Sequence, residues 1–165
     1  MIKTDSIRDR ESSVAELPSL NSHGLLDPGM HHLSLRAIGD LFGRFQRSEQ
    51  RLMLFKRLQQ LVEELASLPF SRRLIIDGSF ITAKDEPSDI DIIFVVREGT
   101  FPLSSDVAPF EYNALSSRML RKKYGFDVLV VDEGSERYGQ YVKYFSRLKE
   151  GPPEVRKGLV RLDLP

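Results

Sequence analysis

A small α/β (α+β) domain, with one mixed sheet flanked by helices and a helical segment ahead of it, is the fold that this 165-residue sequence predicts. Three observations carry that expectation. Leu54, Leu58, Leu61, Leu65 and Leu68 recur at alternating spacings of four and three, the stripe of an amphipathic helix. After Pro69 the pattern changes to short aliphatic runs such as Ile92-Ile93-Phe94-Val95-Val96, which suit buried strands. Those runs then alternate with helical stretches, which implies strands and helices packed in layers.

Residues 1–30 are polar and interrupted by Pro18, Gly24, Pro28 and Gly29, so they read as an N-terminal arm, with Leu17, Leu20, Leu25 and Leu26 available to pin it to the body. Residues 31–165 read as a single domain. Ser34 is suited to cap a short helix bearing Leu35, Ile38, Leu41 and Phe42, stopped at Gly43, and Ser48 to open the long leucine-striped helix. Leu74-Ile75-Ile76 predicts a first strand, cut by Asp77-Gly78-Ser79. Ile90–Val96 predicts a second, with the turn-rich Ala83-Lys84-Asp85-Glu86-Pro87-Ser88 between them. A helix over 110–123 follows, then a strand at Phe126–Val131 and a helix over 136–149 carrying Tyr138, Tyr141 and Tyr144 on one face, where packing is the expected role. Gly151-Pro152-Pro153 breaks the chain. Leu159–Leu164 alternates like an edge strand.

Composition excludes several classes. The chain has no Cys, which removes disulfide scaffolds, thiolate zinc sites and cysteine nucleophiles together. Its longest apolar runs are five residues, far short of the roughly 18 that a membrane span needs. The charged N-terminus lacks an apolar secretory core, so a cytoplasmic protein is expected. The 24 basic and 24 acidic side chains are unevenly spread: residues 71–117 carry four basic and eight acidic, and residues 118–165 eleven and seven. An acidic metal site beside a basic phosphate-binding surface would produce such a distribution.

The chemistry concentrates in Ile76-Asp77-Gly78-Ser79 and Asp89-Ile90-Asp91-Ile92. Strand alternation puts Asp89 and Asp91 on one face and sends Ile90 and Ile92 to the core. Two carboxylates so placed repel each other unless a cation compensates, and magnesium prefers carboxylate oxygens together with substrate phosphates. Gly78-Ser79 offers backbone N–H groups and a hydroxyl, with no Cβ at Gly78 to block a phosphate. Asp77 is expected to fix the turn. Lys84, Arg118, Arg121, Lys122 and Lys123 are cations within reach of phosphate, although solvated surface is the ordinary role of such residues. His31-His32 lacks the partners of a metal site.

A strand, Gly-Ser, a short gap and Asp-x-Asp among aliphatics resembles the signature of the DNA polymerase beta-like nucleotidyltransferase superfamily. The longer strings Asp77-Gly78-Ser79-Phe80-Ile81-Thr82 and Pro87-Ser88-Asp89-Ile90-Asp91, with Leu26–His31 upstream, are similar to a bacterial subgroup of its minimal members. Those members occur in toxin–antitoxin and phage-defence loci. The resemblance implies a sheet of the nucleotidyltransferase type. It also implies Asp89, Asp91 and Asp127 as catalytic residues and as ligands to two Mg2+ ions, with Mn2+ as a substitute. Gly78 and Ser79, joined by Lys84, would contact the nucleotide. The implied reaction moves a nucleoside monophosphate, with ATP among the candidate donors, onto a protein or RNA hydroxyl, and a cognate partner protein is implied as well. The alternative is a catalytically silent module of the same shape that binds and regulates a partner. Asp127 is preferred to Asp132 as third acid because it begins its strand, as Asp89 and Asp91 begin theirs, whereas Asp132 leads into a loop.

Overall fold

The computed structural model of the chain describes residues 17–44, 48–103 and 107–165. Residues 1–16, the first half of the expected arm, lie outside the described residues. The elements run β1 (Gly29–His32), α1 (Leu35–Ile38), α2 (Glu49–Ala66), β2 (Ser71–Asp77), β3 (Asp91–Val96), α3 (Pro109–Ala114), α4 (Ser117–Tyr124), β4 (Asp127–Asp132), α5 (Glu136–Phe145) and β5 (Gly158–Asp163). They form a mixed α+β domain around one five-stranded sheet in the order β1-β5-β2-β3-β4. The two outer pairs, β1–β5 and β3–β4, are parallel, whereas β2 runs antiparallel to both β3 and β5.

Alternation along the strands divides the core in two. Leu74, Ile76, Ile92, Phe94, Val128 and Val160 meet the leucine stripe of α2 and Leu120 of α4 on one face. Ile75, Ile93, Val95, Val131 and Leu159 meet α5 on the other, through Phe145, Tyr138, Tyr141 and Val142. The second cluster is much the smaller. One short helix covers that face, and the strand ends beyond it are left for other uses.

Local chemistry explains the boundaries. Ser34, Ser48, Ser116 and Ser135 each cap a helix, their hydroxyls accepting from the backbone N–H three residues on. The Ser116 cap starts a new helix, which is why the expected helix over 110–123 is two, α3 and α4. The helix expected over 136–149 ends at Phe145 because the chain leaves it to pair Arg147 with Arg156. Two further expectations are corrected. Leu159–Leu164 is not an edge: β5 lies between β1 and β2 because β1 supplies it with a second partner. The arm boundary at residue 30 falls inside β1, and Leu26 is fully buried, so the described part of the arm, residues 17–30, belongs to the folded body. Among the described residues, no helix is long and apolar enough to cross a membrane.

One buried charge holds the fold near the site. Arg51 lies on the apolar face of α2, wholly buried, and its guanidinium donates to the carbonyls of Phe42 (3.1 Å), Phe80 (2.7 Å), Thr82 (2.7 Å) and Lys84. It thereby ties the segment after Gly78-Ser79 to the long helix.

Candidate active site

Register builds the site. Asp77 ends β2, Asp91 begins β3 and Asp127 begins β4, and the ladders pair Asp77 with Asp91 and Asp91 with Asp127. Three carboxylates from three strands thus form one row across the sheet, on the face that α5 covers only in part. Asp89, two residues before Asp91, adds a fourth. Burial and the charge of Asp89 push the Asp91 carboxyl above its ordinary range; Lys149 opposes them, and Asp77 and Asp127 add to the rise. Acid charge is crowded at Asp91, which has no ion-pair partner of its own among the described residues.

The Gly-Ser turn organises the row. Gly78 has φ +94°, and a Cβ there would meet the Asp91 backbone N at 3.0 Å and the Asp89 carbonyl at 3.2 Å. The glycine therefore admits the Asp-x-Asp segment itself, and the space that the sequence reserves for a phosphate at this Cβ position is filled by protein. The Ser79 hydroxyl donates to Asp89 Oδ1 at 3.1 Å and accepts from the Ser88 N–H at 3.1 Å, closing the loop between the two motifs.

Asp77 does more than fix a turn. It is 3% exposed, and Lys157, just ahead of β5, places its Nζ 2.8 Å from Oδ2 and 2.7 Å from Oδ1. Burial still raises the Asp77 carboxyl above its usual range, against the pull of Lys157. Asp77, Asp91, Tyr144, Arg147, Lys149 and Lys157 line a cleft of about 370 Å³, within the size range of small-molecule sites.

Of the expected residues, Asp89, Asp91 and Asp127 are brought together, with Gly78 and Ser79 bracing them. Asp132 pairs with Val96 at the far end of β4, and Phe101 N–H approaches its Oδ2 at 3.4 Å. Lys84 is not brought in: its side chain is exposed, it does not line the cleft, and its carbonyl is held by Arg51. Arg121 forms an ion pair with Asp127 at 2.7 Å. Lys123 pairs with Glu64, away from the row. Tyr138 and Tyr141 pack on the core as expected, whereas Tyr144 is 66% exposed at the cleft. Sequence reasoning missed Lys149 and Lys157 and gave Asp77 too small a part. The available signal was the excess of basic residues in the C-terminal third.

A family model matches residues 18–163, nearly the whole described chain; it is a family of unknown function, DUF6932. The chain belongs to that family. Comparison with curated proteins and with solved structures returns no match. In this DUF6932 chain, no group of three or more His, Asp or Glu among the described residues could hold a metal ion. The donor chemistry nevertheless fits magnesium, which is commonly held by one or two carboxylates, its shell completed by water and substrate phosphate. Asp89 and Asp91 meet that requirement, and the crowding at Asp91 is what a cation would relieve.

Proposed function

We propose that this chain is a magnesium-dependent nucleotidyltransferase that moves a nucleoside monophosphate from a triphosphate to a protein or RNA hydroxyl in the cytoplasm. The observation that carries the reading is the cross-strand row of Asp77, Asp91 and Asp127, with Asp89 held by the Gly78-Ser79 turn, beside a cleft with basic residues in its wall. The resemblance of the two motifs to minimal nucleotidyltransferases supports it, and suggests a toxin–antitoxin or defence setting.

Asp89 and Asp91 would hold the metal, its shell completed by water and substrate phosphate. Bound there, magnesium would neutralise the charge that builds on the phosphate oxygens of the transferred and departing groups. Asp127, more than half exposed at the strand end, can be reached by an acceptor. The acceptor oxygen bonds to the α-phosphorus and the α–β phosphoanhydride bond breaks. Pyrophosphate leaves with the electron pair, and the acceptor proton passes to a carboxylate oxygen of Asp127.

The test incubates the protein with magnesium, total cell extract and each α-labelled triphosphate in turn, then separates labelled protein from labelled RNA. Transfer by the wild type, lost in Asp89→Asn and Asp91→Asn, supports the reading. Label on neither fraction with any triphosphate overturns it. The alternative of a silent partner-binding module draws on one observation, that Arg121 already occupies Asp127. It predicts a stable complex with a protein or RNA that survives both aspartate substitutions.

A further inference from the structure

The cleft is lined by charges of both signs, Asp77 and Asp91 together with Arg147, Lys149 and Lys157. Those cations come from the connection between α5 and β5, which is a built element: Arg147 bridges Arg156 in antiparallel fashion, and the Lys157 N–H donates to the Ser146 carbonyl at 2.8 Å. The side chain of Lys157, only 12% exposed, is anchored on Asp77. One residue thus fastens both the backbone of this connection and its position over the acid row. Lys149 differs from Lys157 in being exposed, and among the described residues it has no ion-pair partner. Its charge is felt by both Asp77 and Asp91.

We propose that Lys149 is the residue that receives the polyphosphate tail of the substrate, and that Lys157, clamped by Asp77, is the positioning residue that keeps Lys149 facing the acid row. This deepens the nucleotidyltransferase reading and rests on it for the identity of the substrate, a nucleoside triphosphate. A metal at the acids and a cation in the same cleft can grip one polyphosphate together, each removing part of its charge. A cleft with Lys149 beside Asp91 suits neither an apolar ligand nor a lone cation, since Lys149 would repel the latter. The assignment replaces Lys84, which does not line the cleft.

The probe is inorganic tripolyphosphate, titrated calorimetrically into the full chain in the presence of magnesium, with Mn2+ binding followed separately by electron paramagnetic resonance. Lys149→Ala, an exposed change that leaves folding intact, is expected to weaken tripolyphosphate at least about tenfold, as losing a charge-assisted contact does. Its Mn2+ affinity is expected to hold or rise, and Lys149→Arg to keep most of the binding. Lys157→Met alone strands a buried carboxylate and can unfold the chain, so the paired change Asp77→Asn with Lys157→Met, which removes both charges, is the second variant. It is expected to fold and to bind tripolyphosphate less tightly than the wild type. Unchanged tripolyphosphate affinity in Lys149→Ala, or none in the wild type, overturns the proposal. The two readings separate cleanly. Lys149-dependent binding without label transfer to any acceptor would sink the transferase and leave the role of Lys149 standing. Transfer with an unchanged KM in Lys149→Ala would do the reverse.

Discussion

Gly78 is the residue at which the site and the fold are hardest to separate. Its positive φ and the closeness of Asp89 and Asp91 mean that Gly78→Ala is strained twice, by backbone and by contact. The expected cost is roughly 1–3 kcal/mol in a denaturant titration, with loss of any metal-induced stabilisation because Asp91 is displaced. A normal midpoint with intact metal response would show that the segment yields easily. The two acids of β4 give a second prediction. Asp127 shares the row with Asp91, and Asp132 lies at the other end of the strand. Asp127→Ala should lower transfer at least about a hundredfold, and Asp132→Ala less than about threefold, as the opposite ranking would require a different row. Asp89 and Asp91 were legible in the sequence because a strand's period of two is local information. Asp77 was not, since its place depends on which residue of β3 it faces, and register is set by pairing across the sheet. Lys149 and Lys157 were hidden for the same reason: each reaches the row from far along the chain.

Elements were legible where one pattern dominates. The stripe of α2 stands out because every third or fourth residue is leucine, yet Arg51 lies on the same stripe, and a charge in that position is a visible sign of a buried anchor. Arg51→Met should cost about 3 kcal/mol or more, because several carbonyls lose their donor inside the protein. Hydrogen exchange should show residues 80–84 losing protection, whereas a loosening of β5 instead would contradict the anchor. The position of β5 was illegible, because an interior strand with one polar side chain in its middle, Arg161, looks like an edge. The acid row also sets the pH response. Asp77 and Asp91 have folded-state affinities for protons raised above the unfolded ones, so they favour folding below the unfolded value near 3.9 and progressively oppose it as pH rises through the window above. Asp91→Asn should therefore raise the metal-free melting temperature at pH 7 and leave it unchanged near pH 3. A mutant no more stable at neutral pH would mean that the row is already neutralised.

At the scale of the whole molecule, substrate should act as a staple between the sheet and the connection from α5 to β5. Magnesium with a triphosphate at about 100 times its dissociation constant should add roughly 2.7 kcal/mol of stability by mass action. Asp89→Asn should lose most of that shift while folding normally, and a full shift in the mutant would move the metal elsewhere. The layer arrangement was legible as a whole because alternating strands and helices allow few packings. Its strand order was not, since order is decided by contacts between distant segments.

That order has a consequence for biosynthesis. Within the sheet, β1 touches only β5, and β5 separates it from β2, so β1 is synthesised well before its partner among the described strands. Lys157 sits at the threshold of that same late strand, and the connection from α5 is fastened only when β5 docks. A nascent chain therefore carries Asp89 and Asp91 well before it carries Lys157. Any transfer activity would therefore wait until β5 has docked.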